Sequence, residues 1–376
     1  MIETTRCAIS VNEPTLFVSF ELGLKTWKLG LTSAPGNKPW VRTVAGGDLP
    51  AVEEVLARAK SRFGLDASAR VVSCYEAGRD GFWIHRALTT RGVDNRVVDS
   101  ASIEVNRRAR RSKTDRLDAV KLVLMLMRVC GGEPGVWREV RVPSAADEAA
   151  RQVSRERSHL VQDATRLVNQ MRSLLATVGS RLPERRQGAW WTTVRDWSGA
   201  ALAPSVQQRL AHAQRRLALL DEQIAELEQQ QRADVARAEA ATGVARLVQL
   251  KGIATTSASV LVDEGLVWRA FHNRRELGGL LGFRPVPHQS GEAARDVGID
   301  RAGNKRWRSI MVQLAWGWLH WQPLSALTQW YQRRFAEGGS RARRIGIVAL
   351  ARKLLIALWR YATSGVVPEG AILKVA

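Results

Sequence analysis

The chain has 376 residues, 45% of them hydrophobic and 25% charged, with 57 Lys+Arg against 36 Asp+Glu for a net charge of +21. This balance excludes a disordered polyelectrolyte, allows two or three domains with real cores, and points to a polyanionic partner, nucleic acid first. Membrane insertion is excluded as well, because the apolar runs at 120–129 and 345–359 are short and broken by Lys121, Arg128, Arg352 and Lys353.

Cys7, Cys74 and Cys130 are far apart and form no CxxC pair, which fits a reducing cytoplasm. The six histidines lack zinc spacing, and no basic-then-apolar leader opens the chain, so no signal peptide is expected. The fourteen tryptophans are assigned first to core packing rather than to stacking on bases.

In chain order, residues 16–20, 27–31 and 41–44 read as short strands forming a meander. A helix follows over 49–63, with Val52, Val55, Leu56 and Ala59 on one face. A buried-strand pattern covers 70–75, then a helix 82–91 and a strand 96–98. Strands alternating with helices predict a mixed sheet with crossover helices, an α/β domain. Glu21 then stands at the end of the first strand and Glu76 at the end of a later one, the positions where sites gather in open α/β sheets. Next comes a basic run, Arg107, Arg108, Arg110, Arg111 and Lys113, leading into Asp115 and Asp118. Three residues apart in the first turn of a helix, these two carboxylates share one face. They fit either a metal site for work on a phosphate backbone or a solvated, salt-bridged helix start.

From 147 to about 240 the pattern is helical. Val153, Leu160, Ala164, Leu167, Met171, Leu174 and Val178 keep a 4/3 spacing with Arg157 in one seam position, and Val206 to Leu227 repeat it after a Trp-, Gly- and Pro-rich break at 179–204. Two such helices predict an antiparallel hairpin or coiled coil. Arg151, Arg155, Arg157, Arg166, Arg172, Arg209, Arg215 and Arg216 are expected to point outward, towards solvent or nucleic acid. Residues 247–264 predict a helix, a tight turn at Gly252 and a second helix, a helix-hairpin-helix-like element whose turn amides suit phosphate. Beyond it, Ser290 is expected in a loop with Arg284, His288 and Gln289, and a helix opens after 301–308.

Glu21, Glu76, Asp115 and Asp118 are hard oxygen donors suited to Mg²⁺ or Mn²⁺. Without an ion, four clustered carboxylates would repel one another. Ser290, beside Gly291, has room for a bulky phosphate, and Arg284, Arg301, Asn304, Lys305 and Arg308 are the candidates to hold nucleic acid around it. A Ser-Gly pair taken blind is a turn.

These patches resemble the DEDD transposases of bacterial insertion sequences, a group described as bridge-RNA-guided serine recombinases. The likeness rests on Phe20-Glu21-Leu22-Gly23, on Tyr75-Glu76-Ala77-Gly78, on Lys113-Thr114-Asp115-Arg116-Leu117-Asp118-Ala119, and on Gln289-Ser290-Gly291 followed by Gly303-Asn304-Lys305-Arg306. It implies a RuvC-like, ribonuclease-H-type N-terminal domain (1–143) whose tetrad binds Mg²⁺. It further implies a coiled-coil segment (144–241) that mediates assembly into a dimer or tetramer, and a mainly α C-terminal domain (242–376) supplying the nucleophilic serine. Implied partners are donor and target double-stranded DNA and an element-encoded guide RNA. By the same resemblance Glu21, Glu76, Asp115 and Asp118 form the tetrad and Ser290 the nucleophile, although the first position is usually Asp and Glu21 reaches one methylene further. Two rival functions share parts of this pattern: a RuvC-like nuclease using water and no serine, and a non-enzymatic basic DNA-binding protein.

Overall fold

The computed structural model describes residues 13–103, 114–269, 271–290, 293–301 and 303–374. The basic run Arg107, Arg108, Arg110, Arg111 and Lys113 lies outside them. The described residues divide into two compact units, one ending at Val142 and the other beginning at Pro143. Among the described residues no helix is long and apolar enough to cross a membrane.

The first unit is built on β1 (Thr15–Leu22), β2 (Thr26–Thr32), β3 (Trp40–Ala45), helix α1 (Leu49–Arg62), β4 (Arg70–Glu76), α2 (Trp83–Thr90), β5 (Asp94–Val98) and α3 (Asp115–Cys130). The sheet order is β3-β2-β1-β4-β5. The first three strands form an antiparallel meander, whereas β1–β4 and β4–β5 are parallel. Both faces of the sheet are covered, which is why β1 reads as a nearly unbroken apolar run rather than a simple alternation. Leu16, Val18 and Phe20 of β1 pack with Val52, Leu56 and Ala59 of α1 and with Ile84 and Leu88 of α2. On the other face Val72 and Cys74 pack with Leu122, Met125 and Leu126 of α3, and Phe17 joins them. Each fully buried Leu, Val or Phe stabilises the sheet by about 1.5–3 kcal/mol.

Helix α3 lies very close to the sheet. Ser19 Oγ donates to the Ala119 carbonyl at 2.6 Å. A side chain at Gly30 would begin 2.7 Å from that same carbonyl, so only glycine fits beneath the helix. Burial pushes the Cys74 thiol well above its ordinary range, and Cys74 and Cys130 are both free and buried.

The second unit begins with two long helices, α4 (Ala145–Ala176) and α5 (Pro204–Arg237). Ser144 and Asp147 form a capping box at the start of α4. The two helices run antiparallel. Arg157 of α4 meets Glu228 of α5, and further along Met171 and Leu175 share a cluster with Leu210 and Ala213. The Trp-rich break closes that far end: Trp190 is buried in the cluster and its indole N–H donates to Gln214 at 3.0 Å. Arg157 therefore occupies its seam position as half of an interhelical ion pair. The expectation of outward basic residues fails at three positions. Arg151 is 6% exposed, and Arg155 and Arg157 are engaged with carboxylates. A helix that packs on several sides buries positions that a simple two-helix pattern assigns to solvent.

The chain continues through α6 (Gly243–Gln249), α7 (Thr255–Leu261), a π-helical turn over Val262–Leu266, α8 (Arg274–Leu280), β6 (Pro285–Ser290), β7 (Ala293–Ile299), α9 (Lys305–Trp321), α10 (Ala326–Phe335) and α11 (Ser340–Ser364). Trp307, Met311 and Trp318 of α9 pack on Leu350, Leu354 and Leu358 of α11 to make the core. The stretch 247–264 expected as a helix-hairpin-helix-like element contains the end of α6, a turn with Gly252 at φ +90°, and α7, which stops at Leu261. Its turn is tied to the end of the chain: Lys251 N donates to the Ile372 carbonyl, and the Lys251 carbonyl accepts from Gln322.

Candidate active site

The acidic residues of the first unit sit where strand parity places them. Phe17 and Ser19 of β1 face α3, so Glu21, two residues on, faces the same way. Val72 and Cys74 of β4 face α3, which puts Glu76 on that side too. The parallel register pairs Phe20 with Tyr75, so Glu21 and Glu76 follow at the carboxyl ends of adjacent strands. Helix α3 then presents its first turn here. Thr114 caps it, accepting from Leu117 N at 3.3 Å, so neither aspartate is needed as the N-cap. Asp115 is exposed and Asp118 is half-buried.

Lys28 links the two halves of this edge. It is the cross-strand partner of Glu21, and its ammonium meets Asp115 Oδ2 at 3.0 Å. A cation already sits at Asp115, held by a side chain that remains 29% exposed, and Asp115 itself is 69% exposed. Such a pair is weak in water and can exchange partners. The donor set is all hard oxygen, on one side of the sheet, which fits a divalent ion in kind. Among the described residues, no three such side chains are gathered closely enough to hold one ion together.

Ser290 lies in the second unit, and here the structure corrects an expectation. It is not in a loop but is the last residue of β6, paired with Ala293 of β7. Pro285 and Pro287 lie in this strand, and proline ordinarily argues against a strand, which is why the segment reads as a loop. A two-stranded ribbon tolerates them, with a register irregularity between the two prolines.

The root of this strand pair is held by a network of backbone bonds. Asp300 N donates to the Arg284 carbonyl at 2.9 Å, Arg301 N to Gly282 at 3.2 Å, and Asn304 N to Leu280 at 2.9 Å. Gly303, at φ +99°, packs so tightly that a Cβ would collide with the Leu280 carbonyl. Two of the proposed nucleic-acid contacts are engaged in this network. Asn304 caps α9 by accepting from Trp307 N at 3.0 Å, and Arg308 donates to the carbonyls of Leu281 and Arg301. Lys305 opens α9, and Arg301 is exposed in the left-handed region at φ +60°.

Two family profiles match the chain. One, described as a transposase of the DEDD IS110 type, matches residues 32–179, which include Glu76, Asp115 and Asp118 but begin beyond Glu21. The other, described as Transposase IS116/IS110/IS902 family, matches residues 244–331 and so includes Ser290. The chain is also 38% identical over 394 residues to the transposase-named protein y4rJ of Sinorhizobium fredii, covering 98% of this chain and 96% of the relative. The chain belongs to the DEDD transposase family of IS110 and IS116. A further relative, the transposase for insertion sequence element IS1328 of Yersinia enterocolitica, is 26% identical over 60% of this chain and 66% of its own length.

Sequence reasoning about this transposase missed a second charged centre. Glu264, 3% exposed, lies in the π-helical turn and accepts from Arg155 at 3.2 and 3.4 Å, from Asn304 at 3.1 Å and from Arg306 at 3.4 Å. Its neighbour Asp263 is pushed up to about 7, mainly by burial and against a hydrogen bond from Ser154 that favours its ionised form. Burial lowers the Arg151 and Arg306 guanidinium groups, and the Nε of each lacks a hydrogen-bond partner. One signal was available: an Asp-Glu pair set directly between Val260-Leu261-Val262 and Gly265-Leu266 is flanked by apolar residues on both sides.

Proposed function

We propose that this transposase cleaves and rejoins DNA strands through a covalent phosphoserine intermediate formed by Ser290. The observation that carries the reading is the convergence by strand parity of Glu21 and Glu76 on the sheet face where α3 starts with Asp115 and Asp118. The strand order β3-β2-β1-β4-β5, with an antiparallel meander and two parallel partners, supports assigning the first unit to the RuvC-like, ribonuclease-H-type class. The antiparallel α4–α5 pair supports the assembly role of a coiled coil, with a dimer or tetramer as the working form.

In the proposed step, Ser290 Oγ loses its proton and bonds to phosphorus as the bond to one strand end breaks. The departing sugar oxygen takes up a proton. A hydroxyl from the incoming strand then attacks the phosphoserine, re-forms a phosphodiester and returns the serine, so no bond energy is lost. Glu21, Glu76, Asp115 and Asp118 would hold Mg²⁺ or Mn²⁺, which when bound neutralises charge on phosphate oxygens. Lys28 keeps Asp115 oriented towards the sheet edge and gives way to a stronger cation. The substrates are donor and target double-stranded DNA in the cytoplasm, and the net charge of +21 also supports a guide RNA bound to the same protein.

The test is covalent trapping. Ser290→Ala abolishes protein–DNA adducts and leaves DNA affinity unchanged. Adducts at wild-type level in that variant remove Ser290 from this role. Metal-dependent nicking that survives without adducts favours a water-using nuclease. Sequencing of copurifying nucleic acid returns one structured RNA from the flank of the element; activity from protein stripped of RNA rejects the guide.

A further inference from the structure

The buried carboxylate of Glu264 stands where two parts of the second unit meet. On one side Arg155 reaches it from α4 in a two-pronged contact, Nε at 3.2 Å and Nη2 at 3.4 Å. On the other, Asn304 Nδ2 and Arg306 Nη1 reach it from the start of α9. Arg306 also donates through Nη2 to the Ser154 carbonyl, so α9 is held to α4 directly as well. Asn304 is the residue whose amide bonds Leu280, and next to it Gly303 is pressed on the same carbonyl. Leu280 precedes β6 by five positions, and the neighbouring bonds from Asp300 and Arg301 close on Arg284 and Gly282. Both strands of the β6–β7 pair therefore leave from one clamp, and Glu264 holds that clamp from behind.

A charged group is costly in such a place. The side chain of Glu264 is 4% exposed, and a hydrophobic residue of similar size often serves a core at least as well. Asn304 needs only Trp307 N to cap its helix. Its second bond, to Glu264, fixes the amide's orientation in addition. Glu264 can be neither solvated nor replaced by an apolar group without leaving Arg306, Asn304 and Arg155 short of an acceptor.

We infer that Glu264 is a positioning residue, which acts through Asn304 and Arg306 to fix the root of the strand pair bearing Ser290 and ties that root to the base of the long α4 helix. This rests on the reading of Ser290 as nucleophile. The role differs from that of an ordinary core ion pair, because its loss moves a reacting group without moving the core.

The experiment uses the full chain with Glu264→Gln, which keeps the shape and removes the charge. Two quantities are read: hydrogen exchange at the amides of Asp300, Arg301 and Asn304, and the rate of adduct formation on DNA. Exchange at these amides is expected to rise about 10-fold while α11 is unchanged. The adduct rate is expected to fall about 30-fold with DNA affinity within about threefold of wild type, the pattern of a misplaced nucleophile. Glu264→Asp, which keeps the charge, recovers part of the rate. If Glu264→Gln does not fold, Asn304→Ser, which keeps a helix-capping oxygen and removes the amide that donates to Glu264, must show the same pair of changes. Unchanged exchange in the folded variant overturns the inference. So does faster exchange with an unaltered adduct rate, or a rate loss that merely follows DNA affinity. Adducts that survive Ser290→Ala reject the serine reading instead, and the exchange measurement still decides whether Glu264 clamps the root.

Discussion

The protein has two charged centres of opposite character. At the sheet edge, Asp115 and Lys28 form a pair largely open to water, with Glu21, Glu76 and Asp118 on the same face. In the second unit, Glu264 is closed off among Arg155, Arg306 and Asn304. Water makes the difference. In high dielectric an ion pair contributes little and its members remain available to another ion. In a buried site each charge depends on its partners, because losing one leaves the other without solvent or counter-ion. Exposed carboxylates can therefore be used in chemistry, whereas the buried one serves geometry.

The sharpest test of that contrast removes charge at each centre without changing shape. Asp115→Asn and Asp118→Asn are each expected to lower metal-dependent strand cleavage by about 10²–10³-fold, with the melting temperature within about 2 °C of wild type. Cleavage at wild-type rates in both variants, measured over a titration of Mg²⁺, would reduce the pair to a helix start.

Glu264→Ala is expected to do the reverse. It should destabilise the second unit by about 3–5 kcal/mol, because three donors lose a buried acceptor. Urea denaturation measures it, and a loss below about 1 kcal/mol would place the carboxylate in the same class as the surface pairs.

Asp263 offers a pH-dependent version. Its carboxyl is pushed up to about 7, above its unfolded value near 4, so between those limits the folded chain holds a proton that the unfolded chain has released. Stability from this group is then complete below about pH 4 and declines as pH rises towards about 7. Asp263→Asn removes the decline. The variant should melt about 8 °C or more above wild type at pH 8, about 3 °C above it at pH 5, and within about 1 °C of it at pH 3.5. Equal melting temperatures at both pH values would contradict the burial argument.

The smallest effect is expected at Lys28. Lys28→Ala should change stability by less than about 1 kcal/mol, as for other exposed pairs. Apparent affinity for Mg²⁺ should rise, because Asp115 loses its competing cation. Weaker Mg²⁺ dependence of cleavage would instead make Lys28 a supporting part of the site.

Much of the first unit was legible in the sequence. The strands at 16–20, 27–31, 41–44 and 70–75 fall inside β1, β2, β3 and β4, and the helix at 49–63 is α1 to within one residue. Short apolar runs bounded by turns carry that information locally. The acidic positions were legible too, since Glu21 and Glu76 end strands and Asp115 and Asp118 open a helix. The strand bearing Ser290 was hidden by Pro285 and Pro287, which local rules count against a strand.

The sequence alone determined that Asp115 and Asp118 share a helix face and that Glu21 and Glu76 lie at strand ends, because helical spacing and strand runs are properties of consecutive residues; that both strand-end carboxylates face α3 was decided by packing and by the β1–β4 register. The sequence also determined the polyanion-seeking charge and the pairing of α4 with α5. Only the tertiary structure decided which cation meets which carboxylate. Lys28 and Asp115 are 87 residues apart in the chain, Arg155 and Glu264 109, and Asn304 and Glu264 40. An arginine in a basic chain looks the same in one dimension whether it faces water or a buried glutamate. Burial is set by what packs over a residue: it encloses Arg151, while Arg155 and Arg157 depart from the expected outward basic face by pairing with Glu264 and Glu228.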